Sequence, residues 1–231
     1  MNLAEARPIF RGSGWLAHVP ADFADAVLAL CRWRAVPAGQ GIQHAGDGGG
    51  SVYGIASGTL SMTTGMTVPD APITAIAHPG DWFGYIPMFG GGERAVTVEA
   101  RSDVVLAVVS EAHLATLFDA PGGWRHAGML SIVSYGHVAA NIAGDLMIRD
   151  SRRRCIAALL RLANCRFADH PVGGAVEAVL SQSELGAIAN LSRTTVNALL
   201  GDLESEGLIR LSYRSVILND TAVLRRIVDE G

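Results

Sequence analysis

No uninterrupted apolar run in this 231-residue chain exceeds six residues; Val104–Val109 (VVLAVV) is one of that length. A membrane-crossing helix needs about 20, so the sequence holds no candidate for one. The first residues, MNLAEARPIFR, lack the basic-then-apolar layout of a secretory signal, and the expectation is a cytoplasmic protein. Three cysteines, Cys31, Cys155 and Cys165, are too scattered for a zinc or iron–sulfur spacing. Cys155 and Cys165 fall in an apolar helical stretch and read as small buried hydrophobes. The seven histidines include no HExxH pair, and His78, beside Pro79-Gly80, reads as structural. Lysine is absent altogether, so all 18 basic side chains are arginine. What is present is ordinary for a chain with real cores: 49% hydrophobic and 17% charged residues.

The net charge of −4 argues weakly against a nucleic-acid partner, but it is unevenly spread. Residues 1–150 carry 8 arginines against 13 acids, whereas residues 151–231 carry 10 against 9. An acidic body with a nearly neutral C-terminal part is compatible with DNA binding by that part.

Three regimes follow one another. A short helical stretch near Phe23–Leu30 leads into residues 33–109, where glycine turns separate apolar segments. Those turns are Ala38-Gly39, Ala45-Gly46-Asp47, Ser57-Gly58, Pro79-Gly80-Asp81 and Gly90-Gly91-Gly92. Strands are predicted at Gly41–His44, Val52–Ala56, Leu60–Thr63, Ile73–Ala77, Val96–Ala100 and Val104–Val109. Short, closely spaced strands indicate a β-roll, jelly roll or barrel. After Pro121-Gly122-Gly123, Trp124, Leu130, Tyr135, Val138, Ile142 and Leu146 recur at helical spacing. A helix of about 25 residues would run about 37 Å. It either packs on its own β-domain or forms a seam between two copies of the chain. At Asp150-Ser151-Arg152-Arg153-Arg154 a polar break places a hinge, with Asp150 or Ser151 as the next helix cap. The three arginines are either a solvated surface or phosphate contacts.

The C-terminal part carries the most specific pattern. Ser181-Gln182-Ser183-Glu184 fits a capping box that opens a helix with Leu185, Ile188 and Ala189 inward. Asn190 tolerates a left-handed turn, and Ser192 caps a second helix with Val196, Leu199, Leu200 and Leu203 inward. Gly207 closes that helix. Ile209–Leu211 and Val216–Leu218 then alternate as a hairpin around Ser212-Tyr213-Arg214-Ser215. Two capped helices, a tight turn and a hairpin read as a winged helix-turn-helix, whose second helix enters the major groove. Arg193 is placed for a guanine edge or a phosphate. Ser192, Thr194, Thr195 and Asn197 suit phosphates or base edges, and Ser181, Gln182, Arg210 and Arg214 suit the backbone. A helical hairpin used for protein contact is the bland alternative.

Leu180–Ile209 (LSQSELGAIANLSRTTVNALLGDLESEGLI) resembles the helix-turn-helix signature of the Crp/Fnr family of bacterial transcription regulators. Pro79–Ala100 (PGDWFGYIPMFGGGERAVTVEA) is similar to the family's phosphate-binding cassette, and the segment between resembles its dimer helix. The resemblance implies an α+β fold: an N-terminal double-stranded β-roll (a jelly roll, residues 1–120), a long dimerisation helix with hinge (121–150) and a C-terminal winged helix-turn-helix (151–231). It implies double-stranded DNA, a second copy of the chain and RNA polymerase as partners, with no membrane and no catalytic activity. In the cyclic-AMP-binding members, cassette backbone N–H groups and an arginine hold the cyclic phosphate, and a glutamate holds the ribose. Here Arg94 matches that arginine, but Tyr85, after Gly84, stands where the glutamate is expected. Ala95 replaces a hydroxyl residue, and Ala139 and Ala140 replace the dimer-helix hydroxyls. Each lost charge-assisted bond removes on the order of 1.5–3 kcal/mol, so cyclic AMP is not the expected effector. Arg94 is left to bind another small anion or nucleotide, or to pair with a carboxylate inside the roll. Thr194 and Ala198 depart from the family's familiar recognition residues, so its best-known operator is not expected. The N-terminal cysteine cluster of the oxygen-sensing branch is missing, and His78 does not match the ligand of the haem-binding branch.

Two other classes of function were weighed against these residues. A cytosolic small-molecule- or nucleotide-binding module would act through protein contacts with an idle helix-turn-helix. A cupin-like enzyme needs clustered metal ligands, and His44, His78, Glu93 and Glu99 lack that spacing.

Overall fold

The computed structural model describes residues 3–64, 73–90, 92–167 and 175–230. Gly91 of the predicted glycine turn, and the first two residues of the N-terminal stretch, lie outside them. Contacts divide the chain into two compact units, residues 1–71 with 76–140, and residues 72–75 with 141–231.

The first unit contains two antiparallel sheets. β1 (Arg32–Val36), β8 (Val104–Ser110), β3 (Ser51–Ser57) and β6 (Trp82–Phe83) form one, in that order. β2 (Gly41–Gln43), β7 (Val96–Ala100), β4 (Leu60–Thr64) and β5 (Ile73–Ala77) form the other. The six predicted strands are therefore all present, within a residue at either end. β1 was not foreseen, because Arg32-Trp33-Arg34 breaks the apolar alternation that marks a half-buried strand.

β3 and β8 read as unbroken apolar runs for a physical reason: each is buried on both faces. On β3, Tyr53 and Ile55 enter the core between the sheets with Val36, Leu60, Phe83, Val98 and Leu106. Val52 and Ala56 point the other way, with Ala107 and Val109 of β8, into a second core. That second core is roofed by helices. α1 (Leu3–Gly12) supplies Ala6 and Phe10, and the short turn Trp15–His18 supplies Trp15 and Leu16. α2 (Ala21–Ala29) and α4 (Glu111–Phe118) add Val27, Leu28, Leu114 and Phe118. Trp15 lies 5.9 Å from Trp82 and 6.2 Å from Phe118, ring centre to centre, in edge-on contacts that aromatic quadrupoles favour. A short helix, α3 (Ile86–Gly90), follows Tyr85 within the cassette segment.

The long helix is present. It begins as α5 (Trp124–Ser131), passes through a π-helical stretch at Ile132–His137, and continues as α6 (Val138–Met147). Only Leu130 and Asp145 along it are fully buried.

The second unit holds α7 (Ser151–Leu162), α8 (Gln182–Ala189), α9 (Arg193–Ser205) and α10 (Thr221–Glu230). Its sheet runs β10 (Ile209–Ser212), β11 (Ser215–Leu218), β9 (Val176–Val179). The predicted hairpin is β10–β11, and β9 pairs with β11 antiparallel as an unforeseen third strand. Asp150 caps α7, its Oδ1 accepting from the Arg153 N–H at 2.7 Å. No helix among the described residues is long and apolar enough to cross a membrane.

Candidate functional site

The helix-turn-helix is built by local hydrogen bonds at the predicted positions. Ser181 Oγ accepts from the Glu184 N–H at 3.2 Å, and Glu184 Oε2 accepts from the Ser181 N–H at 2.6 Å, completing the capping box. α8 ends at Asn190, whose φ of 51° is the left-handed turn. Ser192 then caps α9 by accepting from the Thr195 N–H at 3.0 Å. Leu185, Ile188, Ala189, Val196, Leu200 and Leu203 are buried as expected, and Leu199 is half-buried. Gly186 is a packing requirement that spacing did not show: a Cβ there would sit 2.8 Å from the Leu191 carbonyl oxygen. A glycine inside a helical pattern was the available signal. At the far end Leu208 donates to the Leu203 carbonyl at 3.0 Å across Gly207.

This frame leaves Ser192, Arg193, Thr194 and Asn197 exposed at the start of α9, with Thr195 half-buried beneath its bond to Ser192. Ser181 and Gln182, at the start of α8, are half-buried. Arg210 and Arg214 are exposed on the β10–β11 hairpin, where Arg214 (φ 53°) and the 91%-exposed Tyr213 form the turn.

The other arginines of this unit are largely committed to the protein itself. Arg152 makes two bonds to the Glu206 carboxylate. Arg153 donates to the Val228 carbonyl. Arg154 donates to the Ala189 carbonyl at 2.9 Å, a cation at the C-terminal end of α8, and to the Ile148 carbonyl at 2.6 Å. The triplet at the hinge is thus a brace, neither a loose solvated surface nor a free phosphate grip. Arg161 and Arg166 converge on Asp145, at 3.1 and 3.2 Å, and Arg225 bonds the Cys165 and Phe167 carbonyls. Cys155 and Cys165 are buried, and burial pushes the Cys155 thiol up to about 12, which leaves no thiolate for chemistry.

In the cassette, Arg94 is buried and surrounded by oxygens of the chain. Its Nε donates to the Gly48 carbonyl at 3.1 Å, and Nη2 to the Ser51 carbonyl at 3.1 Å. Nη1 donates to Gln43 Oε1 at 2.6 Å and to the Gly84 carbonyl at 3.3 Å. The guanidinium also lies over the Tyr53 ring, 5.5 Å from its centre, and Tyr53 stacks on Phe83. The carboxylate partner weighed for Arg94 is replaced by neutral oxygens. Gly84 is needed for this fit: its φ is 84°, and a Cβ would meet Arg94 Nη1 at 2.6 Å. Tyr85 is buried in the outer core beside Leu130 of α5, and Ala95 is half-buried before β7. Burial, then the neighbouring Tyr135 and Asp81, hold the Tyr85 phenol above its usual range, so it cannot act as the carboxylate expected there. Gln43 went unnoticed in the sequence because nothing in a lone glutamine signals burial.

A β-roll with a cassette arginine, followed by a capped helix-turn-helix with a wing, defines a ligand-sensing type of DNA-binding regulator. Residues 33–120 match the cyclic nucleotide-binding domain, and residues 153–227 match the Crp-like helix-turn-helix domain. The chain is 28% identical over 222 residues to the cyclic AMP receptor protein of Thermus thermophilus, spanning 95% of this chain and 96% of that one. It is 29% identical over 195 residues to the CRP-like cAMP-activated global transcriptional regulator of Mycobacterium tuberculosis, spanning 82% of this chain and 85% of that one. The solved structure of a CRP/FNR-family transcriptional regulator from Thermus thermophilus superposes with a TM-score of 0.65 at 27% identity, covering 86% of this chain and 98% of that chain. The chain belongs to the Crp/Fnr family of transcriptional regulators, with a DNA-binding helix-turn-helix.

Proposed function

We propose that the protein is a homodimeric transcriptional regulator that reads an inverted-repeat operator and is controlled through its roll by an effector other than cyclic AMP. The observation that carries this reading is the start of α9, where Arg193, Thr194 and Asn197 stand exposed on a helix N-terminus held by two caps. Arg193 reads a guanine or grips a phosphate; the hydroxyls and Asn197 take phosphates and base edges; Arg210 and Arg214 hold the backbone from the wing. Ser181 and Gln182 add contacts from the start of α8. The dimer reading rests on the long helix, where Ile132, Tyr135, Val138 and Met147 are 53%, 59%, 42% and 80% exposed. Such an apolar stripe on a helix is stabilised by a partner helix. A two-fold dimer would place its recognition helices about 34 Å apart, one turn of duplex DNA. RNA polymerase is the further partner of such a regulator, and the cytoplasm its place of action. The roll would act by biasing the dimer helix between DNA-competent and incompetent arrangements.

Selection from random duplex DNA with the purified protein tests this. The expected result is a palindromic motif with half-sites one helical turn apart. Recovery of no such motif at moderate salt, with and without cell extract, refutes the reading.

A further inference from the structure

The roll's cationic group is already liganded from within. A guanidinium offers five N–H donors, and four of those of Arg94 are matched by Gln43, Gly48, Ser51 and Gly84. Three of these acceptors are main-chain carbonyls, which come with the fold. The fourth, and the shortest contact, is a side chain. Gln43 is 4% exposed, and its amide is oriented by a second bond, Nε2 donating to the Val96 carbonyl at 2.9 Å. A bulge explains how it reaches inward. Gly41 pairs with Glu99 and Gln43 with Val98, so the register slips by one between them. The ordinary alternation of faces is broken there, and Ile42 and Gln43 both lean into the roll.

We propose that Gln43 is an internal ligand of Arg94, whose amide oxygen takes the place a cyclic phosphodiester anion would need on that guanidinium. The proposal rests on the reading of the roll as a sensor and identifies what keeps cyclic nucleotides out of it. A phosphodiester entering here finds one unmatched N–H, unless it displaces Gln43 and leaves a buried amide oxygen unpaired. The positive charge itself is not cancelled, because every partner of Arg94 is neutral. The site is therefore a latent anion site, closed by a single side chain. An effector of the wild-type roll is recognised by contacts other than an anion on Arg94.

Thermal unfolding of the full-length protein, with cyclic AMP, cyclic GMP or cyclic di-GMP at millimolar concentration, tests this. Wild type is expected to show no rise in Tm with any of the three. Gln43→Ala should start from a lower Tm and gain a rise with cyclic AMP or cyclic GMP, which Arg94→Ala added to it abolishes. A purely structural glutamine would lower the Tm without creating a ligand response. If Gln43→Ala does not fold, Gln43→Glu, which keeps the shape and pairs its carboxylate with Arg94, should stay silent to all three nucleotides. The proposal is overturned by a wild-type rise that Arg94→Gln removes, by a folded Gln43→Ala protein as silent as wild type, or by a responsive Gln43→Glu. DNA binding measured in parallel separates the two readings: its loss under every condition would refute the regulator and leave the result on Gln43 unaffected.

Discussion

Asp81 closes the Pro79-Gly80 turn, its Oδ2 accepting from the His78 N–H at 2.8 Å. Loss of hydration pushes its carboxyl up to about 6, against the pull of that hydrogen bond. The folded protein thus holds this proton more tightly than the unfolded chain, whose carboxyl titrates near about 3.9. The stabilisation is fully present below about pH 4 and is lost as the pH rises through about 6. Asp81→Asn, which keeps an acceptor for His78, should flatten that part of the Tm-against-pH curve. An unchanged slope between those limits would count against the assignment. Arg193 makes a separate prediction. Its replacement by alanine should reduce operator affinity by the equivalent of about 1–3 kcal/mol and relax preference at one base pair of each half-site. Competition binding with single-base operator variants reads both effects. Arg193 was legible from its place after a cap. Asp81 was legible only as part of a turn, because a raised pKa depends on what surrounds the carboxyl in space.

At the scale of elements, the helix-turn-helix is determined by short-range chemistry, and this is why its caps were visible in advance. Ser181 with Glu184, Ser192 with Thr195, and Asn190 all act within four residues along the chain. The packing of α8 on α9 is a different matter, since it depends on the absence of a side chain at Gly186. Gly186→Ala gains helix propensity but drives a Cβ against the Leu191 carbonyl. We expect a net loss of about 1–3 kcal/mol, read as a lower denaturation midpoint. A stabilised variant would show that the turn gives way easily. β9 escaped prediction for the opposite reason. Four residues, one fully buried, carry too little pattern, and it is pairing with β11 that makes them a strand.

At the scale of the molecule, six arginines from position 151 onward bond to the protein's own oxygens. Arg193, Arg210 and Arg214 remain exposed toward the proposed interface. Six such cations in a dimer would release about six counterions, a log–log salt dependence of about −5. Arg214→Ala should reduce that slope by about 2, because both wings change. A slope near −10 in titrations against salt would mean that the bracing arginines contact phosphate after all. The dimer itself is tested by Tyr135→Arg with Val138→Asp on the exposed stripe. The pair should yield monomers in sedimentation, with palindrome binding falling to that of a single half-site.

The order of parts, the strands of the roll, the caps and the exposed start of the recognition helix were determined by the sequence alone. Each depends on period-two or helical alternation, or on hydrogen bonds between near neighbours. What Arg94 does was decided by tertiary structure. Its acceptors at Gln43, Gly48 and Ser51 lie more than 40 residues away along the chain, and a bulge turns one of them inward. The hinge arginines follow the same rule, as Arg152 and Arg153 find their partners at Glu206 and Val228. An arginine carries the same charge and donors wherever it stands, and only folding chooses whether they meet the protein, a ligand or DNA.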